Sequence, residues 1–132
     1  MHFVSRECDY AIRIVRVLAN MEIKTVQTIC EREKIPKDFA YKILKKIERA
    51  GIVNSHRGTH GGYSLAKRPE EITLYDVLSV VSKNVLLNEC LQLGIECPNN
   101  TGEKVCLVHK EIQRIQEALE ALLKEKTMDM LI

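Results

Sequence analysis

Apolar and polar positions along this chain change period several times. Between residues 8 and 21, Ala11, Ile14, Val15, Leu18 and Ala19 recur at helical spacing, and Ser5 is placed to cap the helix. A second, short helix should follow Thr25, whose hydroxyl can take up a free amide at the helix start, with Val26, Ile29 and Cys30 facing inward. Ile35-Pro36 breaks it: the residue before a proline is biased away from helix, and Pro36 suits the first turn of the next one. That third helix runs to about Ala50. Phe39, Ile43, Leu44 and Ile47 form its inner stripe, Lys37, Lys42, Lys45, Lys46 and Arg49 lie on or near the outside, and Gly51 stops it.

The period then changes. Residues 52–57 predict a strand, 58–62 (Gly-Thr-His-Gly-Gly) a tight turn, and 63–65 the returning strand of a small basic hairpin. Thr73-Leu74-Tyr75-Asp76 opens a helix through about Val81, with Asp76 in the place usually held by Glu in a capping box. Last comes one long helix over about residues 103–126, capped by Asn100 or Thr101. Val105, Val108, Ile112, Ile115, Leu119 and Leu122 make a narrow seam along it, spaced as in helices that pair, so the expectation is a dimer helix. The fold class expected is mainly α with a small β-hairpin. Residues 1–82 would form a winged helix-turn-helix DNA-binding region, 83–103 a loop, and 104–132 a dimerisation helix and tail.

Composition adds limits. With 132 residues, 45% hydrophobic and 29% charged, the chain is one domain long and can bury a core without staples. No apolar run approaches the roughly 18 residues of a membrane helix. The start, MHFVSRECDYAIRIVRVLA, is broken by Arg6, Arg13 and Arg16, unlike a secretory signal. The expected compartment is the cytoplasm, with no membrane partner. Charge is unevenly spread: residues 1–68 hold 14 Lys and Arg against 7 Asp and Glu, and residues 69–132 hold 6 against 11. A basic front half suits a polyanion.

A basic third helix after a short second one, followed by a glycine-rich basic hairpin, is the order of a DNA reader. Its second helix fits the major groove, where base edges carry distinguishable donor and acceptor patterns. Lys37, Asp38, Phe39, Tyr41 and Lys42 would point at bases. Lys45 and Thr28 would meet backbone phosphates, and Arg57 and His60 at the hairpin tip would reach a minor groove. No nucleotide-binding glycine loop, paired catalytic carboxylates or nucleophile with a base is evident, so neither an enzyme nor a small-molecule substrate is expected.

The segment NECLQLGIECPNNTGEKVCLVHKEI gathers Cys90, Cys97, Cys106 and His109. Thiols of a reducing compartment more readily bind metal or sense redox state than form bridges. Cys106 and His109, three apart, share a helix face. From spacing alone, an iron–sulfur cluster and a zinc site stand level, and a thiol–disulfide switch needs no metal at all. Cys30 fits as core filler.

Three stretches carry a resemblance: SRECDYAIRIVRVLA, KKIERAGIVNSHRGTHGGYSLAKRPEEITLYDVLSVV and CLVHKEIQRIQEALEALLKEKTMDML. Together they resemble the IscR/NsrR/CymR family of bacterial winged-helix regulators over nearly the whole chain. The resemblance implies a homodimer on a partly palindromic operator in double-stranded DNA. It also implies an iron–sulfur cluster, 2Fe–2S favoured over 4Fe–4S, held by Cys90, Cys97 and Cys106 and used to sense cluster, iron, redox or nitrosative status. His109 fits the fourth-ligand place of IscR-like members, and Asp9 of a partner subunit fits that of NsrR-like ones. The gaps between the cysteines are longer than is usual in that family.

Overall fold

A computed structural model describes residues 2–82 and 85–132. Lys83 and Asn84, the first two positions of the expected loop, lie outside the described residues. The described residues form five α-helices and one two-stranded antiparallel hairpin: α1 (Arg6–Val17), α2 (Val26–Glu33), α3 (Lys37–Arg49), β1 (Val53–His56), β2 (Gly62–Leu65), α4 (Leu74–Val81) and α5 (Leu107–Glu125). Short 3₁₀ turns occupy Pro69–Glu71, Glu89–Leu91 and Met128–Leu131. No helix among the described residues is long and apolar enough to cross a membrane. The expected fold class, mainly α with a small hairpin, is observed.

Local signals explain most of the boundaries. Ser5 Oγ accepts from the Cys8 amide at 3.2 Å and Thr25 Oγ1 from the Thr28 amide at 3.1 Å, so α1 and α2 begin where their caps stand. Thr73 and Asp76 form the reciprocal capping box of α4. Helix α1 ends earlier than its periodicity predicts. Asn20 turns back to accept from the Glu22 amide, and Met21 takes a left-handed conformation, φ 66°. The long helix begins later than expected, and neither Asn100 nor Thr101 caps it. Cys106 does, its sulfur accepting from the His109 amide at 3.3 Å, while Asn100 Oδ1 instead receives the Cys106 amide at 3.2 Å.

The core lies between α1, α2, α3 and α4. Ala11, Ile14, Val15 and Leu18 of α1 face Ile29 of α2, Ala40, Ile43, Leu44 and Ile47 of α3, and Val77 of α4, all fully buried. Ala40 therefore takes the inner place expected for Phe39, which is half-buried at the edge. Helix α5 packs on α4, with Leu123 against the core and Lys124 Nζ 4.3 Å from the Tyr75 ring centre. Beyond it, Met128 is buried and its amide bonds to the Ile72 carbonyl at 2.7 Å.

The hairpin gains a third, minimal strand. Lys24 and Tyr63 exchange backbone bonds at 2.8 Å in both directions, joining the α1–α2 connection to β2. Gly62 makes this possible: its φ is +147°, and a Cβ there would stand 2.3 Å from the Lys24 carbonyl oxygen. Gly51, at φ +77°, has open space around it. Gly62→Ala should therefore cost about 1–3 kcal/mol and Gly51→Ala about 1 kcal/mol. Thermal unfolding of the two variants checks the order, and a Gly62→Ala midpoint at or above that of Gly51→Ala contradicts it.

Candidate functional site

Two surfaces carry chemistry: the outer face of α3 with the hairpin tip, and a cavity at the start of α5. The first is positioned by a buried plug. Lys34 ends α2 in a left-handed conformation, φ 56°, and the next side chain, Ile35, is 4% exposed and anchors the turn into the core. Helix α3 leaves from that anchor with its apolar stripe inside. Lys37, Asp38, Tyr41, Lys42, Lys45 and Arg49 are consequently exposed along the other side.

The remaining expected DNA contacts divide. Arg57 and His60 are exposed at the hairpin tip. Phe39 meets the Tyr10 ring edge-on, with centroids 5.7 Å apart and planes at 71°, so packing within the chain takes up one side of it. Thr28 is half-buried, and its hydroxyl lies 3.0 Å from that of Thr25. Lys46 is drawn to Glu7 at 3.2 Å and leaves the outward row.

Braces that local sequence reasoning misses hold the hairpin to α3 and its two strands to each other. Ser55 Oγ donates to Glu48 Oε1 at 2.7 Å, and His56 Nε2 and Ser64 Oγ are 2.8 Å apart. Burial pushes the Tyr63 phenol above its ordinary pKa, with Glu48 and Tyr41 acting in the same direction. None of these pairs has a periodic signature.

At the other end, Cys90, Cys97, Cys106 and His109 all line one cavity of about 440 Å³, together with Asn88, Ile95, Asn99, Asn100, Val108 and Ile112. All four are half-buried, and every cysteine is a free thiol. Cys106 and His109 belong to the rigid start of α5. Cys90 and Cys97 come from the preceding arm: Asn88 Nδ2 donates to Cys90 Sγ at 3.3 Å, and the Asn100 amide closes a turn onto the Cys97 carbonyl at 3.0 Å. The Nδ1 atom of His109 is buried with no hydrogen-bond partner among the described residues. Leaving such an atom unpaired costs about 1–3 kcal/mol, so a ligand there would be favoured.

Three thiols and one imidazole around a cavity with an orphaned nitrogen fit a soft metal or an iron–sulfur group in donor chemistry. Among the described residues, no three His, Cys, Asp or Glu side chains converge closely enough to hold a metal ion as they stand. Asp9 of this chain is not part of the cavity. It lies on α1 and pairs with Arg13 at 3.0 Å.

The expected seam on α5 splits in two. Ile112 and Leu119 are half-buried against their own chain, whereas Val108, Ile115 and Leu122 are exposed, at 67, 44 and 62%, as is Val105, at 55%, which lies before the helix begins. Leu107 adds to this uncovered strip.

A family model described as Rrf2, iron-dependent transcriptional regulator, matches residues 4–132. The HTH-type transcriptional regulator NsrR of Geobacillus kaustophilus is 32% identical over 120 residues, covering 88% of this chain and 78% of that protein. Among solved structures, CymR (YrzC), the global cysteine regulator of B. subtilis, has a TM-score of 0.76 at 24% identity, covering 99% of this chain and 96% of that one. T. potens IscR has a TM-score of 0.70 at 25% identity, covering 97% of this chain and 85% of that one. The expected resemblance is therefore found, and these proteins are transcriptional regulators rather than enzymes.

Cys30 is set apart from the cavity cysteines. Burial pushes its thiol above the ordinary value of 9.0, more than nearby Lys37 lowers it. Its alkylation rate should keep rising with pH beyond 9.0. Site-resolved alkylation followed by mass spectrometry checks this, and a Cys30 rate that levels off below that pH contradicts it.

Proposed function

This chain belongs to the Rrf2 family of iron-dependent transcriptional regulators, and on that premise we propose that it is a homodimeric DNA-binding regulator whose state is set by an iron–sulfur cluster. The carrying observation is the cavity that unites Cys90, Cys97, Cys106 and His109 around a buried, partnerless imidazole nitrogen. When bound, the cluster supplies thiolate-held iron that responds to iron status, oxidants or nitric oxide.

In this reading the three cysteines are the thiolate ligands and His109 is the fourth. The negative charge that thiolate ligation places on Cys106 falls at the start of α5, where the helix dipole and the His109 amide stabilise it. The competing fourth ligand, the partner subunit's Asp9, would have to leave Arg13. The NsrR and IscR likenesses support iron–sulfur chemistry, and our reading takes the cluster as 2Fe–2S.

DNA binding divides by reach. Lys37, Asp38, Tyr41 and Lys42, exposed at the start of α3, read base edges, and Phe39 supports them from the Tyr10 stack. Lys45 and Thr28 hold phosphates, and Arg57 and His60 enter a minor groove. Residues 1–82 act as the reader, 83–103 as the sensing loop, and 104–132 as the dimer helix and tail. Two copies pairing along Val105, Val108, Ile115 and Leu122 would match a partly palindromic operator. The protein works in the cytoplasm.

Anaerobically purified protein should absorb visible light and contain iron and sulfide. Cys106→Ala should abolish the colour, and His109→Ala should bleach it far more than Asp9→Ala. A colourless wild type with stoichiometric zinc, or one free of metal that instead forms a disulfide among the three cysteines, would overturn the cluster. Loaded and apo protein should differ in affinity for a duplex selected from random sequence by the loaded form, and equal affinity across salt concentrations removes the switch. Lys45→Ala should lower the slope of log affinity against log salt by about 1.

The pairing strip is tested separately. Ile115→Glu with Leu122→Glu should convert a dimer to a folded monomer in analytical ultracentrifugation. A double variant that still sediments as a dimer rejects this face as the interface.

A further inference from the structure

Helix α5 buries one polar side chain. Gln116 is 5% exposed, on a helix whose outer face is largely uncovered. A buried amide is tolerated when its donor and acceptor capacity are both met. Gln116 meets them on the strap that leads into the cysteine loop. Its Oε1 accepts from the Leu87 amide at 2.8 Å, its Nε2 donates to the Val85 carbonyl, and the same Nε2 reaches Glu120 Oε1 at 2.9 Å. The side-chain amide thus binds residues 85–87 as a neighbouring strand would, through backbone groups alone.

The bonds continue into the cavity from both directions. Along the strap, Leu87 is followed by Asn88, whose side-chain nitrogen donates to Cys90 Sγ. Along α5, Gln116 shares its face with Ile112 and His109, which line the cavity. The rise from Gln116 back to His109 is about 10 Å. The loop-borne and helix-borne donors are therefore referred to one fixed point.

We infer that Gln116 is the positioning residue of the cysteine site: it clamps the root of the loop to α5 so that Cys90 faces Cys106 and His109. The consequence for a cluster rests on the function proposed above; the clamp itself does not. Glutamine is specifically suited to this place. Glutamate could accept from Leu87 but could not donate to Val85, and it would face Glu120. Methionine keeps the length and apolar bulk and loses both bonds.

The test compares wild type, Gln116→Met and Gln116→Glu, first as apo protein. Hydrogen exchange should show the Leu87 amide protected in wild type and unprotected in Gln116→Met. Maleimide labelling read by mass spectrometry should be several-fold faster at Cys90 in that variant, with Cys30 labelling and the thermal midpoint close to wild type. Gln116→Glu should retain part of the Leu87 protection. In loaded protein, bleaching of the visible absorbance by an iron chelator should be about tenfold faster in Gln116→Met. Unchanged Leu87 exchange and Cys90 labelling overturn the clamp. Equal acceleration at Cys30 and Cys90 also overturns it, because that reports general loosening. Faster Cys90 labelling with unchanged bleaching overturns its role in holding the site. A wild type that never acquires colour overturns the cluster reading instead, and the labelling comparison still decides the clamp.

Discussion

Helix α1 is the element against which the rest is placed. Its face of Ala11, Ile14, Val15 and Leu18 is wholly buried, and α2, α3 and α4 each pack on it. Each buried aliphatic side chain there is worth about 1.5–3 kcal/mol relative to exposure. The rim is pinned by charge: Glu7 holds Lys46 of α3, and Arg16 holds Glu33 at the end of α2. Both pairs are partly open to water, so each adds at most about 1 kcal/mol to the fold. Because α4 packs on α1, α3 and α5, a movement of α5 has a packed route to α3.

Local signals made the reading half legible. Thr25, Pro36, Gly51 and the Thr73–Asp76 pair each act within a few residues, so α2, α3 and α4 lie close to where the pattern puts them. Contacts between distant residues were not legible. Nothing near Gly62 announces that it must admit the Lys24 carbonyl, so its demand looks like turn chemistry or DNA approach until the backbone bridge is seen. The start of α5 misled for a chemical reason. Asn and Thr are ordinary caps and cysteine is not, yet Asn100 is used by the Cys106 amide, which leaves the Cys106 sulfur to do the capping.

The seam shows a different limit. Heptad spacing says that a helix has an apolar stripe but not whose surface covers it. Here the inner edge, Ile112 and Leu119, meets the same chain, and the outer edge is left bare. Gln116, between them, has no signal of burial in the sequence, because polar residues on an amphipathic helix ordinarily face solvent. The segment that gathers Cys90, Cys97, Cys106 and His109 was legible as one that comes together, since all four line one cavity. Its architecture was not, because the bonds that shape it enlist Asn88, Asn100 and Gln116, three residues outside that set.

These features together describe a site with unequal halves. Cys106 and His109 ride on a helix held by Leu123, by Lys124 over Tyr75 and by the buried Met128 that follows. Cys90 and Cys97 ride on an arm with little apolar burial, where Leu93 is 97% exposed and most bonds are single and local. An arm of that kind opens at far lower cost than the core, because few buried contacts are lost. A ligand shared by both halves would add its binding free energy to the closed arrangement alone. Couplings between sites typically amount to about 1–3 kcal/mol. The chain thus lays a sparsely buried segment along the cavity and ties it to the helix that carries the uncovered strip at two points, Gln116 at its root and Asn100 near the helix start.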